Sequence, residues 1–208
     1  MAASLTTHVS NIQASLGDDG TLFTLGICTA AVRLALEKFN ERAPIYAGTL
    51  VTVVNGDVEY ALNESDFTNL IDILDVVVDD ESVAFQKYYF DNAPFIRLDE
   101  ALVSGDLDVR YTLPHTVSGL DSATQSTLDS NQDKVLLAGA CAFAIYIRAA
   151  ARVESFNLDK NVMSNYEKLA GPFLQAFASG LNRYAARNIP QADRDTRAWD
   201  DVWHNFGE

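Results

Sequence analysis

Three histidines, two cysteines and 29 acidic residues are the raw material for chemistry in this 208-residue sequence. His8, His115 and His204 stand apart, and none has a histidine or cysteine at i+2, i+3 or i+4, so no zinc or iron site is spelled. Cys28 and Cys141 sit in apolar helical stretches without a neighbouring histidine. They read as small buried residues of a reduced compartment, not as nucleophiles or a disulfide pair. Gly-x-Ser-x-Gly, the phosphate-binding Walker loop and Gly-x-Gly-x-x-Gly are all missing. Among the carboxylates, Asp79-Asp80-Glu81 is the sharpest candidate for a cation or acid–base cluster. It follows an apolar strand where a turn is expected, which reads better as a solvated strand end. Asp121 fits an Asx turn, and Asp106-Leu107-Asp108 supplies only a fragment of a calcium loop. The sequence therefore assigns no catalytic residue, no cofactor and no metal ligand. The competing reading is a cation-binding α+β enzyme built on Asp79, Asp80 and Glu81.

The elements around these residues fall into two grammars. Leu5, Val9, Ile12 and Leu16 recur at helical spacing and stop at Gly17. A second helix is predicted from about Thr24 to Arg42, with Ile27, Ala30, Ala31, Leu34, Ala35 and Lys38 mixed with Val32, Leu36 and Phe39, so that apolar residues cover much of its circumference, and with Pro44 ending it. Residues 46–113 then turn β-branched and alternating. Thr49–Val54 and Val58–Leu62 flank Asn55-Gly56, which predicts a hairpin with a type I′ turn. Further strands are predicted over 70–78, 83–90, 95–98 and 107–113. A Ser/Thr-rich loop over 114–131 leads to a cap near Asp129 or Ser130. Two long helices follow, from Gln132 to about Phe156 and from about Lys160 to Arg187. The first carries Leu136, Leu137, Ala140, Cys141, Ala144, Ile147 and Arg148 as a stripe. The second carries Val162, Tyr166, Leu169, Phe173, Phe177, Leu181 and Tyr184, with a kink expected at Gly171-Pro172. The fold class expected is α+β: a bundle of about four helices with an inserted antiparallel β region and a C-terminal extension. Its parts are 1–45 and 132–189 for the bundle, 46–131 for the insertion and 190–208 for the tail.

Composition excludes several classes. At 48% hydrophobic there is material for a core. No uninterrupted run approaches the roughly 18 apolar residues of a bilayer-spanning helix, so no membrane is expected. The first residues lack a basic segment followed by a long apolar one, so no secretory leader is expected. The net charge is −14, and it is uneven. Residues 1–133 hold 21 acidic and 6 basic side chains, whereas residues 134–208 hold 8 and 9. A basic footprint for gripping phosphates is missing from both parts.

The residues that stand out are apolar and aromatic in exposed-looking places. Val54, Asn55 and Gly56 form a projecting tip, and Tyr88 and Tyr89 lie in an aromatic run before Asn92-Ala93-Pro94. Both tryptophans lie in the last 19 residues: Trp199 and Trp203, with Phe206 beyond them. Tryptophan is an interface anchor, so this tail reads as a docking segment, for its own body or for a neighbour.

The order of elements resembles the head–tail adaptor, or connector, proteins of tailed bacteriophages. The likeness rests on Leu34-Ala35-Leu36-Glu37-Lys38-Phe39-Asn40, on Val58-Glu59-Tyr60-Ala61-Leu62, on 69–78, on Tyr111-Thr112-Leu113-Pro114-His115-Thr116 and on the small-residue helix 137–151. It covers roughly residues 1–190. The resemblance implies a structural virion protein of the neck, made in the host cytoplasm. It implies a ring of twelve copies under the portal protein, in contact with tail or neck proteins, with DNA passing through the lumen. The β region is longer than the plain helical-bundle adaptors need, so the alternative is another neck or tail-completion (terminator) component.

Overall fold

The computed structural model describes residues 3–62, 67, 69–79, 81–90, 93–102, 105–153 and 160–188. The protein is α+β, with four helices and seven antiparallel strands among the described residues. The chain divides into two compact units, one of residues 1–43 and 116–208, the other of residues 44–115.

The first unit holds helices α1 (Leu5–Ser15), α2 (Leu25–Arg42), α3 (Ser130–Val153) and α4 (Lys160–Asn188). Three of these ends have a local cause in the side chains and backbone around them. Ser4 caps α1 through its hydroxyl, which accepts from the Thr7 N–H at 3.3 Å. Gly17, at a φ of 64°, turns the chain out of the helix. Asp129 opens α3 with a reciprocal box. Its carboxylate accepts from the N–H groups of Asn131 and Gln132, and the Gln132 side chain accepts from the Asp129 N–H at 2.8 Å. Such a cap is worth about 1 kcal/mol. Helix α4 continues through Pro172, where a kink is expected from the sequence, as one element.

α3 is the axis of this unit: α1, α2 and α4 all pack against it. Its buried side chains are small or slender: Leu136, Ala140, Cys141, Ala142, Ala144, Ile145 and Ala149. Glycine sets the α3–α4 approach from both sides. A Cβ at Gly139 would lie 2.7 Å from the Phe177 ring, and one at Gly180 would lie 2.5 Å from a Val135 methyl. The sequence places the stripes approximately and misses their exact rows. The buried row of α2 is Cys28, Ala31, Val32, Ala35, Leu36 and Phe39, while Leu34 is exposed. On α4, Ala170 is buried and Leu169 is exposed. A 22-residue stretch of α3 also has the length and apolar composition to cross a bilayer, contrary to the expectation from uninterrupted runs. Here it supplies the middle of the core.

The loop 114–131, which composition assigns to the β-rich insertion, runs with the helices from Thr116 onward. Val117, Leu120 and Leu128 are anchored in the helical core. Its Ser and Thr side chains satisfy the backbone between them: Thr127 accepts from the Thr116 N–H, and Ser126 accepts from the Ser118 N–H while donating to the Ala3 carbonyl. Arg33 of α2 forks onto Asp121, donating at 3.0 and 2.6 Å. Asp121 is thus an ion-pair partner in addition to a turn residue with φ of 48°.

The second unit contains β1 (Ile45–Thr52), β2 (Glu59–Ala61), β3 (Asp72–Val78), β4 (Glu81–Ser82), β5 (Phe85–Phe90), β6 (Ala93–Leu98) and β7 (Asp106–Leu113). They form a sheet of order β1-β7-β3-β4 and a sheet of order β2-β6-β5. One core draws on both, with Tyr60, Ile96 and Leu98 from the smaller sheet and Ile73, Val76, Leu107, Val109 and Tyr111 from the larger. Strict alternation in β1 and β7 places odd-numbered residues inward and even-numbered ones outward, with Thr112 also shielded from solvent. A bulge at Leu74 interrupts the β3–β7 register.

The expected hairpin at Asn55-Gly56 does not form. β1 pairs with β7 and β2 with β6, so the two flanking runs belong to different sheets. A tight turn is present, closed by the Asp57 N–H donating to the Val54 carbonyl at 3.0 Å. Gly56 has a φ of 86° while Asn55 does not enter the positive region. That is the pattern of a type II turn, which redirects the chain instead of folding it back on itself.

The helix contact at Gly180 generates a test. Gly180→Ala should lower stability by about 1–3 kcal/mol, because β-branched Val135 has no free rotamer to retreat to. Adding Val135→Ala should recover part of that loss, giving a coupling of about 0.5 kcal/mol or more in a denaturant double-mutant cycle.

Candidate interaction surfaces

The Val54–Asp57 turn is exposed and still firmly held. Beneath it the buried Tyr60 hydroxyl donates to the carbonyls of Asp57 at 3.0 Å and Val54 at 3.4 Å. A rigid loop tip that shows an apolar side chain loses little entropy on docking.

The outer face of the smaller sheet is aromatic. β-sheet register puts Tyr88 opposite Phe95, and Phe90 lies two residues along the same face. Tyr88 stacks on Phe95 with ring centroids 5.4 Å apart, and Phe90 meets Phe95 edge-on at 6.3 Å. Phe90 remains 64% exposed. Glu59 and Arg97, 3.9 Å apart, border the cluster. Partial desolvation and the Glu59 carboxylate push the Tyr88 phenol up, so it stays protonated and polar at its tip. Tyr89 points to the opposite face from Tyr88 and is also exposed. Val54, Asn55, Gly56, Tyr88 and Tyr89 thus all belong to the β unit, on separate surfaces. Trp199, Trp203 and Phe206 lie outside the described residues.

Sequence reasoning missed other exposed apolar residues. Leu50 and Tyr46 stand on the outer side of β1, and Leu22 and Leu25 flank the start of α2. Their signal is present in β1, where Tyr46, Gly48, Leu50 and Thr52 form the alternate row of an edge strand.

Asp79 sits in a turn at φ of 49°, Glu81 is exposed in β4, and Asp80 lies outside the described residues. Among the described residues no three His, Cys, Asp or Glu side chains gather as a metal-ligand set. Asp106 is exposed at the start of β7, and Asp108 binds Arg110 at 3.1 Å. Cys28 and Cys141 are free and buried, and burial pushes the Cys141 thiol up to about 11, which suppresses the thiolate. Asp18 is a cap for the chain entering α2. Partial desolvation raises its carboxyl, but the N–H groups of Phe23, Leu22 and Gly20 and the Thr21 hydroxyl outweigh that and hold it below the usual range.

His8 is the unexpected member. It is 1% exposed, and its Nε2 lies 3.4 Å from Oδ1 of Asp133, with neither atom hydrogen-bonded. The second Asp133 oxygen accepts from the Ala3 N–H at 2.8 Å. Burial lowers the His8 pKa below 6.5 despite the opposing pull of Asp133. His115 is buried as well.

No family model matches this chain, nor does any curated protein.

Because the folded pKa of His8 is depressed, its contribution to stability is present above the unfolded value of about 6.5 and is lost as pH falls through the folded one. The melting temperature should therefore drop between about pH 7.5 and about pH 5. His8→Gln should flatten that part of the profile, measured by circular dichroism.

Proposed function

We propose that this protein is a head–tail adaptor of a tailed bacteriophage. It forms a ring under the portal protein, joins it to the tail and lets DNA pass. In this reading α1–α4 are the bundle, and the β unit is an insertion between α2 and α3. The copy number of twelve, the portal and tail partners and the place in the virion neck come from the family it resembles. The protein performs no catalysis.

One observation supports this above the others. The β unit displays apolar or aromatic side chains on several separate surfaces: the Val54 turn, the Tyr88–Phe95–Phe90 face and the Leu50 row. A chain that meets neighbours in its ring and further components above or below needs several such surfaces. A single active-site cleft would need only one. Charge supports it too. Residues 44–115 hold 14 acidic and 3 basic side chains, a balance of −11 out of the total of −14. Such a surface facing a lumen repels the duplex backbone and lets it slide.

The runner-up is another neck or tail-completion component. The self-contained, two-sheet core of the β unit favours it, since it gives that part a fold of its own.

Native mass spectrometry and negative-stain microscopy of the chain, alone and with its portal, test the proposal. A closed ring is expected, and a monomer in both conditions would count against it. Deleting residues 190–208 should abolish attachment or ring closure while leaving the melting temperature of the monomer within a few degrees of the full chain.

A further inference from the structure

We infer that the outer face of the β1–β7–β3 sheet is the docking surface for helix α4 of a second copy of this chain. This rests on the ring reading, since a contact between two different faces, repeated from copy to copy, is what closes a ring.

Register defines the first face. Tyr46, Gly48, Leu50 and Thr52 of β1 lie beside Thr112, Arg110, Asp108 and Asp106 of β7. Asp72, Asp75 and Val77 of β3 lie on the other side of the same β7 residues, with Val77 and Thr112 themselves buried, so the open part of the face is the β1 row and the carboxylates around it. Leu50, 67% exposed, and Tyr46 give it an apolar strip. Between them, at Gly48, the Asp108 carboxylate lies over the strand, so that a Cβ would stand 3.2 Å from its oxygen. Four carboxylates, Asp72, Asp75, Asp106 and Asp108, surround the strip. Against them stand Arg110, held between Asp108 and Asp75, and Lys87, which reaches Asp72. The face is therefore acidic by two charges, within a unit of −11. An apolar strip with a charged rim is the anatomy of a protein interface.

The second face is the side of α4 turned away from α3. Ala170, Phe177, Gly180 and Leu181 are buried toward the core. On the opposite side Lys168, Pro172, Gln175, Ala176, Ser179 and Arg183 recur at spacings of three and four, and all are exposed. Lys168 and Arg183 stand about 22 Å apart along the axis. The residues between them are short or uncharged, so a sheet can approach the backbone. Leu169 adds an exposed apolar side chain beside Lys168. This row bears no carboxylate, and Glu167 lies to one side of it. Over residues 134–188 the chain has 7 basic and 3 acidic side chains.

The two faces thus match in charge, and each copy carries both. Like faces repel, so a two-fold dimer through either one is disfavoured and a head-to-tail contact is favoured.

The test is sedimentation velocity of the full chain at about 50 mM and about 500 mM salt. Wild type should assemble at low salt and loosen at high salt. Lys168→Glu with Arg183→Glu, and separately Asp106→Lys with Asp108→Lys, should each weaken assembly by about tenfold or more. Lys168, Arg183 and Asp106 are exposed, and Asp108 is half-buried beside Arg110, so the helix variant should melt as wild type does, and Asp106→Lys alone serves as the sheet variant if the double change lowers the melting temperature. An equimolar mixture of the two variants should assemble again, since each reversed helix then meets a reversed sheet. If either variant assembles like wild type, or if the mixture stays apart, these are not the paired faces, whatever becomes of the ring. A wild-type chain that forms a ring only with portal, unaffected by either variant, overturns the pairing and leaves the ring standing. A wild type that is monomeric at every salt concentration, with and without portal, overturns both.

Discussion

Helix α3 has to be narrow. Three other helices pack against it, and helix axes approach within about 8–10 Å only where the side chains between them are short. Gly139 receives the Phe177 ring, and Val135 fills the space left by Gly180, so the two helices interlock by exchanging one glycine each. Ala140, Cys141 and Ala144 keep the remaining faces slim. The polar loop 116–129 depends on the same arrangement. It has no regular structure to hold it and is fixed by Val117, Leu120 and Leu128 entering the core that α3 organises. Even the buried His8–Asp133 contact follows, because Asp133 lies in the first turn of α3, where α1 passes closely.

Much of this was legible in the residues. The four helices and most strands lie within a few residues of the positions that periodicity and turn signals mark, because a 3.6-residue or two-residue repeat is a local property. What was not legible is which partner each element chooses. Asn55-Gly56 announces a turn correctly, yet nothing local distinguishes a hairpin from a change of sheet. That outcome depends on β7 and β6, some 40–60 residues away, taking the flanking strands. The same holds for α2, whose circumference is apolar enough that several rows compete for the core, so periodicity alone does not tell that Leu34 stands outward. Of the candidate surfaces, the exposure of Val54 goes with its turn, whereas the Tyr88 stack needs the β5–β6 register. The Leu50 row likewise needs the knowledge that β1 is an edge strand. His8 was unreadable for a similar reason: burial of a histidine is decided by the helix across from it.

The two units differ in how they spend their surface. Among the described residues, the helical unit keeps aromatic rings in the α2–α3–α4 seams, as in the Phe39–Tyr184 and Phe143–Phe177 contacts. The β unit instead leaves aromatic rings outside, and it carries most of the acidity. Acidic charge around apolar groups keeps such surfaces from associating indiscriminately, since like-charged faces repel before apolar contact is made. What remains permitted is contact with a partner of opposite charge.

The pairing of β1 with β7 has one more consequence. These are the first and last strands of the β unit, and Ile45 and Leu113 lie side by side at its base. The chain therefore departs and returns at points about 5 Å apart. Everything between them is a cassette. A bridge of a few residues would span the same gap, so strands and turns within the cassette are free to lengthen, shrink or be exchanged for another small domain without moving the ends of α2 and of the loop before α3. A scaffold joined in this way lets the β unit diverge at its own pace while the helical frame is kept.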